Sequence, residues 1–268
     1  MSIRILCVGD VVGRPGRSFI NAHLKQIRRR MQIDVVVVNA ENAAGGSGLT
    51  PTIYDKLIEA GVHLITLGDH VYRRDQIIPV LERSDRIVRP ANLPPGAPGK
   101  EYAVWTLESG VRVAIITVLG RLFMRSVADC PFRTVDRVID QLPEDVKIIV
   151  VECHAEATSE KIAMGWHLDG RVSIVFGTHT HIPTADERVL PQGTAYITDL
   201  GMTGPYDSIL GRQTDRVLST MITAVPSPFG VATDDVRLCG LIVDVDPDTA
   251  RAQSVERFCA KLEDFETP

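Results

Sequence analysis

Short apolar runs that end in acidic, amide or imidazole side chains are the feature that most constrains the fold of this 268-residue chain. The runs are rich in Val and Ile and are bounded by turn residues, as is typical of buried strands. Helical patterns separate the early runs, and strands that alternate with helices indicate a largely parallel sheet. In open α/β sheets, ligands bind outside the carboxyl ends of the strands. The sequence therefore predicts an α/β protein with a functional site at that edge.

The same order, an apolar strand followed by a group that can bind a metal, occurs five times along the chain. The pairs are residues 3–8 with Asp10, 35–38 with Glu41 and Asn42, 64–67 with Asp69 and His70, 148–151 with His154, and 172–176 with His179 and His181. One acid after a strand is more often a helix cap, whereas five independent cases favour a shared site. Carboxylates and imidazoles suit Zn, Fe or Mn, and one carboxylate can bridge two ions about 3.5–4 Å apart. The pattern therefore predicts a pair of metal ions.

The second half of the chain has a more mixed pattern. Segments 188–190, 194–198, 236–245 and 251–258 look like strands joined by short turns. We expect them to form a second sheet with antiparallel pairing that packs against the first. The Pro- and Gly-rich stretch 90–99 is the strongest internal boundary signal. It is predicted to join two layers of one domain, spanning residues 1–268, rather than two independent domains.

The composition narrows the class of function. Lys and Arg number 29 against 34 Asp and Glu, and the net charge of −5 argues against broad, non-specific nucleic-acid binding. The five cysteines are widely spaced and form no C-x-x-C pair, so they predict neither a disulfide framework nor a zinc ribbon. No apolar stretch approaches the ~20 residues of a membrane span. We therefore expect a cytoplasmic protein with no membrane segment.

The polar motifs, in their order along the chain, resemble those of the calcineurin-like metallophosphoesterases. That superfamily has an Asp, a bridging acid, Gly-Asn-His, a His and then Gly-His-x-His. The corresponding residues here are Gly9-Asp10, Glu41, Gly68-Asp69-His70, His154 and Gly177-Thr178-His179-Thr180-His181. Longer strings are similar to the bacterial YmdB-like branch: GDVVGRPGR at 9–17, NAENAAGG at 39–46, HAEATSEK at 154–161, GTHTHIPT at 177–184 and DLGMTGPY at 199–206.

The resemblance implies a fold and a ligand set. The implied fold is a four-layer α/β/β/α sandwich with two mixed sheets. The implied cofactors are two divalent or mixed-valence transition metal ions, Fe, Mn or Zn, with Glu41 as the bridging ligand. One metal would be bound by Asp10, Glu41, Asn42 and His181, and the other by Glu41, Asp69, His154 and His179. His70 would be the general acid or would orient the phosphate.

The resemblance also implies an activity, hydrolysis of cyclic nucleotides and of 2′,3′-cyclic phosphates especially. The reaction we expect is attack of a metal-activated hydroxide on phosphorus, with His70 as general acid. A phosphomonoesterase or an RNA nuclease that acts on RNA ends could use the same centre, and a nucleotide-binding regulatory protein with low turnover is a further alternative. The expected partners are small phosphodiesters or cyclic nucleotides, with homo-oligomers as a further expectation.

Two residues depart from the superfamily pattern. Val12 stands where the first motif usually has a His, and Asn42 would supply the missing ligand, a feature that the YmdB-like branch shares. Asp69 stands where the superfamily usually has an Asn. An anionic ligand at position 69 should bind the metal more tightly but reduce its Lewis acidity.

Overall fold

The computed structural model describes residues 2–125 and 127–265, and within them fourteen strands and six α-helices. The strands are β1 (Ile3–Val8), β2 (Asp10–Val11), β3 (Val35–Asn39), β4 (Leu64–Thr66), β5 (Ile87–Val88), β6 (Tyr102–Thr106), β7 (Arg112–Leu119), β8 (Ile148–His154), β9 (Ile174–Thr178), β10 (Arg188–Val189), β11 (Ala195–Ile197), β12 (Met202–Pro205), β13 (Val236–Val245) and β14 (Ala252–Lys261). The helices are α1 (Gly13–Arg30), α2 (Pro51–Glu59), α3 (Ile78–Arg83), α4 (Pro131–Asp140), α5 (Thr158–Leu168) and α6 (Thr214–Thr223). Two 3₁₀ turns, Asp75–Ile77 and Leu262–Phe265, complete the regular structure of these residues.

The strands form two mixed sheets. The first has eight strands in the order β2-β12-β13-β1-β3-β4-β5, with β14 paired to β13. In it β1, β3, β4 and β5 run parallel, while β13 is antiparallel to β1, β12 and β14. The second has six strands in the order β10-β11-β9-β8-β7-β6, and its four central strands are parallel. Two mixed sheets are what the resemblance implied.

Three hydrophobic cores separate four layers. Strand β1 illustrates why, because its alternate side chains point to opposite faces of the sheet. Leu6 and Val8 pack with the buried face of α1 and with α2 on the outer side. Ile5 and Cys7 pack instead against the inner face of the second sheet. The outer face of the second sheet is covered by α4 and α5. The four-layer α/β/β/α sandwich is therefore confirmed.

The strand predictions for the second half of the chain were partly wrong about the sheet. Segment 236–245 is a strand, but it lies at the centre of the first sheet, between β1 and β12, and β14 follows it there. The second sheet is formed by the middle of the chain, from β6 to β11. Strand β13 is buried on both faces, with Leu241 in the core between the sheets and Ile242 on the α1 side. Periodicity reveals such two-sided burial but does not identify the neighbouring strand.

The connection at residues 90–99 joins the two sheets as predicted, because it links β5, at the edge of the first sheet, to β6, at the edge of the second. The assignment of residues 1–268 to one domain stays a prediction. Among the described residues, no helix has the length and apolar character needed to cross a bilayer.

Helix α1 begins at Gly13, two residues after the end of β2. Pro15 lies in its first turn, where the missing N–H of proline has no helical partner to lose. Only Val12 separates β2 from the helix, so Asp10 lies in a short strand that is fully buried just before α1.

Candidate metal centre

The predicted site residues meet where the carboxyl ends of strands from both sheets face each other. Strands β1, β3 and β4 lead into Asp10, Glu41 and Asp69, while His154 ends β8 and His179 follows β9. Close contacts link all eight predicted side chains. They are Asp10–His181 (3.7 Å), His181–Asn42 (3.2 Å), Asn42–His70 (2.8 Å), His70–Glu41 (3.3 Å), Glu41–His154 (3.4 Å), His154–Asp69 (3.1 Å) and His154–His179 (3.1 Å).

Four of these residues can hold one cation between them. One ligand atom each from Glu41, Asp69, His154 and His179 lies within 4.8 Å of the other three. Two carboxylates and two imidazoles are a donor set that Zn, Fe and Mn accept. This group is the same set that the resemblance implies for the second of the two metals.

Asp10 and His181 lie beside each other but are not among these four residues. The Oδ2 atom of Asp10 accepts the backbone N–H of His179 at 3.2 Å. Its Oδ1 atom is buried, has no hydrogen-bond partner, and lies 3.7 Å from Nε2 of His181. A buried carboxylate oxygen without a partner is costly, so this atom fits a cation better than it fits an apolar core.

Asn42 lies beside His181, and the orientation of its amide determines whether it can be a metal ligand. Its Nδ2 atom lies 3.1 Å from Oε1 of Glu41 and 3.2 Å from Nε2 of His181. Its Oδ1 atom accepts a hydrogen bond from Nδ1 of His70 at 2.8 Å. Only an oxygen can be a ligand, so Asn42 would bind a metal beside His181 after a flip of its amide, which exchanges O and N.

A buried chain of polar groups orients His154. Its Nδ1 atom lies 2.8 Å from Oγ1 of Thr178, and Thr178 in turn donates to Oε1 of Glu152 at 2.5 Å. Asn39 donates to the same carboxylate oxygen at 2.6 Å. Because Thr178 gives its proton to Glu152, it accepts the Nδ1–H of His154, so Nε2, which faces Glu41 and Asp69, is the nitrogen that a metal ion can bind once it has lost its proton.

A second buried network holds the segment that carries His179 and His181. Both histidines have positive φ angles, 92° and 62°, which are unfavourable for residues other than glycine. Thr180, between them, donates its backbone N–H (3.2 Å) and its hydroxyl (2.6 Å) to Oδ2 of Asp199. The ammonium group of Lys161 lies 2.7 Å from the same oxygen, and the side chains of both Lys161 and Asp199 are fully buried. The ion pair thus stabilises an unfavourable backbone at two candidate ligands.

The loop after Glu41 is a tight turn built on glycine. Gly45, Gly46 and Gly48 have φ angles of 67°, 86° and 84°, in the left-handed region that glycine tolerates. Arg212 donates to the carbonyl oxygens of Gly45 and Gly46, and a Cβ at position 46 would collide with its guanidinium. The loop is therefore fixed against the segment that follows β12, and it positions Asn42 beside His181.

The negative charges of the cluster act on its buried imidazole. Burial lowers the pKa of His154, but the charges of Glu41 and Asp10 and the hydrogen bond with Asp69 outweigh it and raise this pKa well above its usual value. Burial, above all, raises the pKa of Asp10; His154 lowers it in part and Glu41 raises it further. The metal-free cluster therefore favours the protonated imidazole of His154, and a metal ion competes with the proton on Nε2.

His70 lies at the mouth of the cluster, with about a quarter of its side chain exposed. Its backbone N–H donates to Oε2 of Glu41 at 3.1 Å, and its Nδ1 atom bonds to Oδ1 of Asn42. Burial lowers the pKa of His70, but the hydrogen bond and charge of Glu41 and the charge of Asp69 raise it above its usual value. The imidazole is thus held by one nitrogen, and it belongs to the cluster without being among the four clustered ligands.

Comparison with known proteins agrees with this geometry. The sequence model of the family described as "YmdB-like protein" matches residues 6–258. This chain belongs to the YmdB-like family. A Bacillus subtilis relative named 2′,3′-cyclic-nucleotide 2′-phosphodiesterase is 43% identical over 256 residues, which cover 96% of each chain.

Two solved structures of similar proteins share the fold. A crystal structure of a protein from Thermus thermophilus has a TM-score of 0.90 at 41% identity and covers 97% of this chain and 99% of its own. A Mycoplasma pneumoniae structure described as a novel phosphatase has a TM-score of 0.91 at 34% identity and covers 97% and 94%. The match in both fold and length shows that this chain has the same overall fold as these two proteins.

Three polar residues of the site, Glu152, Lys161 and Asp199, were not predicted from the sequence to have a role there. Glu152 lies two residues before His154 at the end of β8, Lys161 lies seven residues after His154, and Asp199 lies eighteen residues after His181. The sequence did contain a signal for two of them. Lys161 is the last residue of the string at 154–161 and Asp199 is the first residue of the string at 199–206, and both strings resemble the YmdB-like branch. Their shared role requires α5 to pack beside β9, which no local pattern specifies.

Replacement of Asp69 by Asn tests the effect of the unusual acid. An Asn oxygen can occupy the position of Oδ1, which lies 3.1 Å from Nε2 of His154, while one negative charge is removed. We expect the Asp69→Asn variant to keep its metal content and to match or exceed the turnover of the unmodified protein, because a less anionic site leaves the metal more Lewis-acidic. Elemental analysis and steady-state kinetics measure both quantities. Loss of both metals would show that the carboxylate charge is needed for binding.

Proposed function

We propose that this chain is a dinuclear-metal phosphodiesterase that hydrolyses 2′,3′-cyclic nucleotides. The observation that carries the proposal is the convergence of Glu41, Asp69, His154 and His179, with ligand atoms within 4.8 Å of one another, at the edge where both sheets end. The 43% identity to a Bacillus subtilis protein of that name, over nearly the whole of both chains, supports the choice of substrate. The metals we propose are Fe, Mn or Zn, since the donors are carboxylates and imidazoles.

The residues of the site would divide between two ions. Asp10, Asn42 and His181 would hold one and Asp69, His154 and His179 the other, with Glu41 between them. When bound, such ions polarise a phosphoryl oxygen and lower the pKa of water towards neutrality. The protein orients its own ligands through Thr178 and Glu152 behind His154 and through Asp199 behind the His179–His181 segment. The cluster is thereby preorganised, which avoids reorganisation during the reaction.

His70 is proposed to deliver a proton to the leaving oxygen. Nδ1 of His70 is engaged by Asn42, and Nε2 lies 3.9 Å from Oδ2 of Asp69 at the open side of the cluster. A protonated Nε2 can therefore reach an oxygen of a substrate that sits over the cluster. In a 2′-phosphodiesterase that oxygen is the ribose 2′ oxygen, and protonation at Nε2 would produce a free 2′ hydroxyl and a 3′ phosphate.

Turnover of 2′,3′-cyclic AMP by the metal-loaded protein tests the proposed function. We expect steady release of 3′-AMP, separated from 2′-AMP by chromatography, and loss of turnover in the Asp10→Ala and His179→Ala variants. Asp55→Ala and His167→Ala are matched controls, because Asp55 is exposed and His167 pairs with Asp136 away from the cluster. Nucleotide binding without turnover in the metal-loaded protein would favour the regulatory alternative instead.

A phosphomonoesterase is the second candidate, and the Mycoplasma pneumoniae structure described as a phosphatase favours it. Comparing kcat/KM for 2′,3′-cyclic AMP, 3′-AMP and a short RNA with a 2′,3′-cyclic end separates these substrate classes. A preference for 3′-AMP would favour the phosphatase, and a preference for the RNA would favour RNA ends as the substrate. We further propose a cytoplasmic location and a homo-oligomer.

A further inference from the structure

Two cysteines that are 20 residues apart in sequence lie side by side on neighbouring strands. Cys239 in β13 is directly opposite Cys259 in β14, and their Sγ atoms are 3.5 Å apart. Cys239 is 3% exposed, whereas Cys259 is exposed. Because Cys259 is exposed, small solutes can reach this residue. Among the described residues, no side-chain hydrogen bond joins either cysteine to a candidate metal ligand.

The surroundings of the pair favour a thiolate at the exposed cysteine. The thiol of Cys239 donates to Sγ of Cys259, and this contact is the main cause that lowers the pKa of Cys259, to about 7. Partial burial opposes the shift, Arg237 and Lys261 add to it, and Asp264 weakens it. The hydrogen bond with Cys259 and burial raise the pKa of the Cys239 thiol. The hydroxyl of Tyr206, which lies 3.0 Å from Sγ of Cys239 and donates to it, opposes this shift in part. One accessible thiolate therefore lies beside one buried thiol, the arrangement of a redox-sensitive pair.

We propose that Cys239 and Cys259 form a site of reversible oxidation, at which a hydroperoxide converts the two thiols into a disulfide. The thiolate of Cys259 attacks the terminal oxygen of the peroxide, the O–O bond breaks, and a sulfenic acid forms while hydroxide leaves from hydrogen peroxide, or an alkoxide from an organic hydroperoxide. The sulfur of Cys239 then attacks the sulfenic sulfur, the S–S bond forms, and the hydroxyl leaves as water with the proton of the Cys239 thiol. The peroxide accepts the two electrons that the sulfurs lose. The sulfurs must approach from 3.5 Å to about 2 Å, a small movement across an existing strand pair.

Exposure of the full-length protein to millimolar hydrogen peroxide at neutral pH tests this proposal. We expect the number of free thiols, measured after denaturation, to fall from five to three and to return to five on reduction. Peptide mapping without reduction should find Cys239 linked to Cys259 within one chain. Cys130 provides the internal comparison, because it is the other cysteine that is not fully buried.

Variants separate the roles of the two sulfurs. In Cys239→Ser, the exposed Cys259 should still react with peroxide but should stop at sulfenic or sulfinic acid, with a mass increase instead of a link. In Cys259→Ser, Cys239 should remain a thiol under the same treatment, and Cys130→Ser should still form the link. Accumulation of sulfinic acid on Cys259 beside an unchanged Cys239 in the unmodified protein would overturn the proposal. So would oxidation of Cys130 before either member of the pair, or a link between two chains.

Discussion

Replacing Lys161 with methionine is expected to lower the free energy of unfolding by about 3–5 kcal/mol, because it leaves the charge of Asp199 buried without its partner. Both side chains are fully buried and their charged atoms are 2.7 Å apart. Methionine is similar in length to lysine but has no charge. The decrease in the free energy of unfolding is therefore caused by loss of the ion pair and not by a large cavity. Urea unfolding followed by circular dichroism measures the change, with the slope of the transition compared between variants.

Two further variants serve as controls for this prediction. Lys147→Met removes an exposed lysine, and its effect should stay within about 0.5 kcal/mol. In the double variant Lys161→Met/Asp199→Asn, the unpaired charge is absent, so part of the lost stability should return. A loss below about 1 kcal/mol for Lys161→Met alone would mean that Asp199 is accommodated without a counter-charge. Lys161→Met should also bind metal more weakly. Lys161 holds the carboxylate of Asp199, and that carboxylate accepts both hydrogen bonds from Thr180 between the two candidate ligands.

The His70→Ala variant is expected to have a kcat lower by roughly 10²–10⁴, the usual contribution of a general acid, while its metal content stays near two per chain. The reason is geometric: His70 is held at the mouth of the cluster by Asn42 and is not one of the four clustered ligands. Steady-state kinetics with 2′,3′-cyclic AMP and elemental analysis of the same samples provide the two measurements. Disappearance of the metals from this variant would identify His70 as a ligand instead.

The choice of substrate gives this second prediction a more specific control. A ribose oxygen needs a proton to leave, whereas nitrophenolate is a good leaving group without one. The decrease in kcat caused by His70→Ala should therefore be much smaller with bis(p-nitrophenyl) phosphate than with 2′,3′-cyclic AMP. Equal losses with both substrates would indicate that His70 orients the phosphate and does not donate a proton. His167→Ala, a partly buried histidine beside Asp136, should change neither rate.

Most of the first sheet could be predicted because its strands have local signals. The runs at β1, β3 and β4 are apolar and β-branched, each is followed by turn residues, and each is covered by helices on the outer side. The sheet to which β13 belongs could not be predicted. A strand that is buried on both faces has the same apolar sequence pattern at any central position of either sheet. Its neighbour β1 is more than 220 residues away in sequence, and only long-range packing selects that pairing.

The candidate ligands could be predicted for a related reason. Parallel strands bring their carboxyl ends to one edge, so the positions of Asp10, Glu41 and Asp69 within the sequence already imply that they lie near one another. No comparable rule of sheet geometry predicts the positions of the buried groups that support the ligands. Lys161 lies on a helix and Asp199 on a loop after β11, and their contact depends on how α5 packs on the second sheet. Cys239 and Cys259 likewise become neighbours only through the pairing of β13 with β14.

The sequence by itself determined the class of fold, the edge at which the site lies and the chemical type of its ligands, because these follow from strand periodicity and from the residue that ends each strand. Only the tertiary structure decided which candidate ligands lie close enough to share a cation, which buried charges support them, how the Asn42 amide is placed and which cysteines meet. Those features depend on distances of a few ångströms between distant segments. Such distances are fixed by the packing of two sheets against each other, and no local pattern encodes them.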